Sequence, residues 1–214
     1  MRSYQILNLV SQEQDMPYEI THRFESALCS YTGARFAVTV NSCTAALMLA
    51  LQWHRPSTTV KCPKRTYVSV PMSIIHAGHN VEFVDANWSG AYQLAPLPVF
   101  DSARRFTSSM YIPGTFFCVS FSASKILAAE QGGAILHDNE EADAWFRRMR
   151  FDGRTEGVDP LTDPIKEIAH HCLMTPSVAA QLLLRLHHLP RHNPDMDGDI
   201  EKLYSDLSKL PAFQ

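Results

Sequence analysis

No two cysteines in this sequence stand at the spacing of a metal ribbon or a redox motif. The five, Cys29, Cys43, Cys62, Cys118 and Cys172, are odd in number and far apart, and there is no C-x-x-C. A structural zinc site and a disulfide framework are therefore not expected, and the thiols read as reduced, buried space-fillers. No metal ligand set is assigned. Apolar runs long enough to cross a bilayer are missing, and the first twenty residues carry polar and charged groups throughout, unlike a secretory leader. A cytoplasmic protein with no membrane partner is expected. There is also no block of Lys or Arg, and the formal net charge is −3. Proteins that grip duplex DNA through its phosphates are usually more basic, so nucleic acid is not favoured as a partner. Internal repeats and low-complexity segments are absent.

What is present is enough apolar material for a core. Of 214 residues 45% are hydrophobic, and the length suits one large domain or a domain with a small appendage. Apolar Ile20, Phe24, Ala27, Leu28 and Tyr31 recur at helical spacing over 18–31, and Gly33 follows as a stop. Short β-branched or aromatic runs at 36–40, 61–63, 81–85, 98–101, 115–121 and 132–138 read as strands. Helices are predicted after Asn41 or Ser42, over 68–77, over 139–153 and over 175–189, with Thr175 as N-cap and Pro176 at the first helical position. Residues 152–168 read as a loop, and 199–209 as a last short helix. Strands alternating with helices predict an α/β fold with a mostly parallel, mixed central sheet flanked by helices. The domain reading is 1–190 for the α/β body and 191–214 for a linker and short helix.

In such sheets ligands lie beyond the carboxyl ends of the strands. Three strand ends carry candidates. After 36–40 come Asn41, Ser42, Cys43 and Thr44, opening a helix whose N-terminal N–H groups and hydroxyls suit a phosphate. After 98–100 comes Asp101. After "CVSFSAS" comes Lys125, a lone lysine at the end of a buried strand, where lysines are rare unless paired or chemically used. Each alone is a common structural device: a cap, a turn acid, a snorkelling lysine. Together they match the needs of pyridoxal 5′-phosphate (PLP), namely a lysine for its aldehyde, a carboxylate for its pyridine nitrogen and a helix N-terminus for its phosphate. Tyr67 is placed to stack on the ring. The paired histidines at 170–171 and 187–188 point different ways on a helix and make no chelate.

The order of these elements resembles the DegT/DnrJ/EryC1/StrS family of PLP-dependent sugar aminotransferases, of fold-type I. The stretches that carry it are "FESALCSYTGARFAVTVNSCTAALMLAL", "VKCPKRTYVSVPMSIIHAGHNVEFVD", "VFDSARR", "VSFSASKILAAEQGGAILHDNEEADAWFRRMRFDGR" and "CLMTPSVAAQLLLRL", which span most of 20–190. The resemblance implies that Lys125 is the Schiff-base lysine, Asp101 the pyridinium partner and Ser120 a phosphate ligand. Ser42, Cys43 and Thr44 fall in the phosphate loop, with Cys43 where the family usually has glycine, and Tyr67 falls on the stacking aromatic. Arg104 stands where the family has Gln or His, and His171 where it has an Asn that reaches the partner subunit's phosphate. A homodimer with shared sites is implied.

Against that family the chain is short in two places. Only "ANWSGAYQLAPLPVF" stands between Asp85 and Asp101, where a further strand and helix are usual. After residue 190 only a tail stands where the family continues into a C-terminal small domain, so a nearly absent small domain is expected. An aminotransferase-like reaction on a large or tethered substrate is expected, with an amino donor or an amino-acid-bearing substrate as partner. One alternative is a decarboxylase, lyase or isomerase acting on an amino acid attached to a nucleobase, of the DNA-hypermodification type. It requires a basic rim from Lys61, Lys64, Arg65, Arg104 and Arg105. The other is a non-catalytic paralogue serving as a partner subunit.

Overall fold

The computed structural model describes residues 18–196 and 198–214. The strands are β1 (Phe36–Val40), β2 (Thr59–Pro63), β3 (Asn80–Val84), β4 (Tyr92–Gln93), β5 (Val99–Asp101), β6 (Phe116–Ser120) and β7 (Gly133–His137). The helices are α1 (Glu19–Thr32), α2 (Cys43–Trp53), α3 (Ser69–His76), α4 (Glu140–Met149), α5 (Pro176–His188) and α6 (Ile200–Leu203). Gly33 ends α1 at φ +83°, the left-handed position that glycine takes without strain. Of the two residues proposed to cap α2, Ser42 does so, accepting from Ala45 N–H at 3.2 Å. The helix expected over 199–209 is shorter, with α6 followed by 3₁₀ turns at Leu207–Lys209 and Pro211–Phe213.

Five strands form one sheet in the order β1-β7-β6-β5-β4, and β2 and β3 pair in a second, parallel sheet. Lys61 N–H donates to Ala95 O at 2.7 Å, which ties β2 to the larger sheet. The sheet is mixed, as expected, but with fewer parallel pairs than strand–helix alternation implies. β5 and β6 are parallel, whereas β7 runs antiparallel to both β1 and β6, and β4 to β5. The reason is the connections. No helix separates β4 from β5 or β6 from β7, and a direct return produces an antiparallel neighbour. In consequence β1, β5 and β6 all point the same way, and their carboxyl ends share one edge.

Side chains alternate across the sheet. Val38, Val40, Cys118 and Ile135 face one core with α2 and α3, while Ala37, Phe117, Val119 and Leu136 face another with α1 and α5. A buried ionic cluster joins α1, β1 and α4. The fully buried Arg150 donates to Glu25 at 2.6 Å, to Thr39 O at 2.6 Å and to Glu156 at 2.7 Å. Glu25 also receives Arg147 at 2.8 Å and the Thr39 N–H at 2.9 Å.

His137 on β7 is fully buried beside Phe36, Phe116 and Phe146, and its nearest charged group is Asp143, whose Oδ1 lies 3.6 Å from Nε2 and opposes the effect of burial. Burial pushes its pKa down to about 4. The unfolded chain, with histidine near 6.5, binds this proton more readily, so stability is lost as pH falls from about 6.5 to about 4. The expected loss is about 3 kcal/mol. Urea titrations across that range should show it, and His137→Leu should flatten the acid limb. An unchanged limb in the variant would show that His137 stays paired or solvated.

Candidate active site

The shared strand edge opens into a cavity of about 470 Å³. Eight of the nine sequence-derived site residues line it: Ser42, Cys43, Thr44, Tyr67, Asp101, Arg104, Ser120 and Lys125. The ninth, His171, lies outside. It is exposed, bridges in β fashion to Phe151, and pairs through Nδ1 with Asp152 at 2.7 Å.

β1 delivers Ser42, Cys43 and Thr44 to the start of α2. Ser42 is largely spent on structure, its hydroxyl donating to Asn41 Oδ1 at 3.2 Å besides capping the helix. The first intrahelical bond is Ala46 N–H to Ser42 O, so the N–H groups of Cys43 and Thr44 precede it and stay available at the positive end of the helix. Thr44 shares a hydrogen bond with Ser69 at 2.8 Å. β7 crosses this turn so closely that a Cβ on Gly133 would lie 2.5 Å from Cys43 N, which explains the second glycine of the Gly-Gly pair after Lys125. Val40 and Ser120 both pair with Gly133, which brings the ends of β1 and β6 to the same glycine.

Asp101 ends β5 and is buried. Its Oδ1 accepts from Ala103 N–H at 2.9 Å and its Oδ2 from the Tyr92 hydroxyl at 2.8 Å. Burial raises its pKa above the usual carboxylate value, against the pull of these two donors and of Lys125. Lys125 follows β6 in a turn closed by its N–H to Ser122 O at 2.9 Å. Burial and the Arg104 charge lower its pKa, opposed by Asp101 and Cys43. A lysine with a lowered pKa is a better nucleophile and base near neutral pH. The Cys43 thiol is pushed well above its ordinary value by burial and by Asp101, so it stays protonated. It donates to Cys118 O at 3.6 Å. Tyr67 stands at the mouth, 61% exposed.

Among the wall residues that sequence reasoning missed are Thr66, Trp88, Met196 and Tyr204. The segment 191–214, expected to be a linker and short helix, is tied to the body at several of its described residues. Arg105 holds Asp195 through two hydrogen bonds of 2.8 and 2.6 Å, Met196 and Arg104 exchange bonds of 2.9 and 2.7 Å, and Arg65 donates to Tyr204 O at 3.3 Å. Lys64 pairs with Asp85 at 2.6 Å. Of the five residues proposed as a basic rim, Lys64 and Arg105 are ion-paired, and Arg65 and Arg104 are tied to backbone carbonyls. Two of the five charges are thereby neutralised, which weakens the rim that the nucleobase-linked alternative requires.

The family's sequence model matches residues 5–99 and 112–214. The chain belongs to the DegT/DnrJ/EryC1/StrS aminotransferase family. The matched ranges leave out 100–111, so Asp101 and Arg104 rest on their geometry. The chain is 42% identical over 124 residues to the spore coat polysaccharide biosynthesis protein SpsC of Bacillus subtilis (strain 168), covering 56% of this chain and 31% of that protein. Its fold is similar to that of PseC of Helicobacter pylori, an aminotransferase involved in the biosynthesis of pseudoaminic acid. The TM-score is 0.69 at 18% identity, over 80% of this chain and 58% of PseC. It is also similar to NtdA of Bacillus subtilis, solved with bound cofactor PMP, with a TM-score of 0.66 at 16% identity over 86% of this chain and 53% of that one. The chain thus spans less than two thirds of the length of each. Among the described residues no helix is long and apolar enough to cross a membrane, and no cluster of His, Cys, Asp or Glu suits a metal ion.

Proposed function

We propose that this cavity binds PLP and that the chain serves an aminotransferase reaction on an amino donor and a large or tethered acceptor. The observation that carries the reading is the convergence of Lys125, Asp101, Ser120 and the start of α2 on one cavity. The donor set fits the cofactor's three polar groups. A buried carboxylate suits the pyridine nitrogen, the α2 N–H groups with Thr44 and Ser120 suit the phosphate, and the amine of Lys125 suits the aldehyde. When bound, PLP supplies an electron sink for bonds at the donor's α-carbon.

The remaining work falls to the chain. Asp101, when ionised, would hold a proton at the ring nitrogen. Lys125 would hold the cofactor's aldehyde and would move a proton at the donor's α-carbon. Tyr67 would cover one ring face. Its exposure leaves the mouth wide, which favours a large or tethered acceptor. The exposed Leu161, Ile165 and Ile168 favour a homodimer, in which the outward-facing His171 would reach the partner's site.

The test is a single-turnover reaction of PLP-loaded protein with L-glutamate. One equivalent of 2-oxoglutarate per site is expected, and sedimentation of the same sample should give a dimer. No keto acid from any common amino acid would overturn the reaction, and a monomer at micromolar concentration would overturn the dimer.

A further inference from the structure

The hairpin between Asp85 and Asp101 does more than shorten the chain. β4 sets Tyr92 directly opposite Asp101, so both side chains leave the same face of the sheet. The Tyr92 hydroxyl has one proton and gives it to Asp101 Oδ2 at 2.8 Å. Its oxygen also meets Thr66 Oγ1 at 2.5 Å, so the threonine must be the donor of that bond. Thr66, Tyr92 and Asp101 form one directed chain, and all three are buried. With Ala103 N–H on Oδ1, each carboxylate oxygen receives a donor from the protein. Trp88 packs on Tyr92 at 4.6 Å between ring centres and donates to Arg65 O at 3.0 Å, fixing the phenol from the cavity side.

A buried carboxylate without donors takes up a proton. The titratable groups around Asp101 are Tyr92 on β4, Lys125 after β6, Cys43 on α2, Cys62 on β2 and Cys118 on β6. The three thiols stay neutral because burial raises them. Burial likewise holds the Tyr92 phenol well above its ordinary value, so it remains a donor and never a second anion beside Asp101.

We propose that Tyr92 is a positioning residue, whose phenol orients the Asp101 carboxylate in the cavity and holds it in its ionised form. The consequence for PLP rests on the cofactor reading above, whereas the link between Tyr92 and Asp101 does not. The experiment is a pH titration of the Asp101 carboxyl carbon by NMR in the cofactor-free full chain, with Asp101→Asn to assign the signal. Tyr92→Phe is expected to move the Asp101 midpoint to higher pH and to weaken PLP binding at neutral pH about tenfold. Thr66→Val, which removes only the second donor, should move it the same way by less. A folded Tyr92→Phe with the wild-type midpoint overturns the proposal. If Tyr92→Phe does not fold, an unmoved midpoint in Thr66→Val does so. Failure of the wild type to bind PLP would overturn the cofactor reading, and the carboxyl titration would still decide the role of Tyr92.

Discussion

Lys125→Ala is expected to lower the rate of keto-acid release from L-glutamate by about 10³-fold or more, the scale of losing a positioned acid–base group. The loss should be chemical and not structural. Lys125 is half-buried in a turn closed by backbone, and its Ser122 contact survives truncation of the side chain. The variant should therefore melt near the wild type. Burial lowers the Lys125 pKa, so the neutral amine is more populated near neutral pH than in an exposed lysine. The wild-type rate should accordingly rise with pH over a range below that of an ordinary lysine. Added methylamine, small enough for the vacated space, should restore part of the rate in Lys125→Ala. A rate within tenfold of wild type would remove Lys125 from the mechanism.

Arg150→Ala should cost about 3–5 kcal/mol of stability, because it removes a buried cation shared by two acids and leaves Glu25 with Arg147 alone and Glu156 with His22 alone. Glu25 is fully enclosed. Burial pushes its pKa up, and Arg150 with Arg147 brings it below the ordinary value, so the ion pair keeps it charged. Glu156, held at about pKa 2 against burial by His22 and Arg150, would also lose its main cation. For a chain of this size the melting temperature should fall by roughly 10 °C. The damage should reach the cavity, since Arg150 binds Thr39 O two residues before Asn41. Pairing Arg150→Met with Glu25→Gln should cost less than the sum of the two, because the stranded charge goes with its partner. Additive losses in calorimetry would show that the cluster is not coupled.

The elements that position the site were legible because short-range rules govern them. Apolar runs, the Ser42 cap, Gly33 and the acids at the start of α4 fixed most boundaries to within a few residues. Lys125 and Asp101 stood out as charges at the ends of buried strands. The sheet has fewer parallel pairs than strand–helix alternation implies because no helix precedes β5 or β7, and each strand returns directly beside its predecessor. β4 was not legible, since the burial of Tyr92 and Leu94 on either side of exposed Gln93 emerges only in the folded chain. A two-residue strand is too short for periodicity to announce. The cover from 191–214 was not legible at all. Arg105 meets Asp195 ninety residues later, and nothing local to "RHNPDMDGD" predicts that it seats Met196 and Tyr204 at the cavity wall.

The central claim is that Lys125, Asp101 and the α2 N-terminus form one PLP site. The most direct test is the visible absorption spectrum of the full chain titrated with PLP, wild type beside Lys125→Ala. A saturable band in the wild type that is absent from the variant, and that shifts on addition of L-glutamate, is the predicted result. The same spectrum from both proteins, or no band in either at saturating PLP, would contradict it.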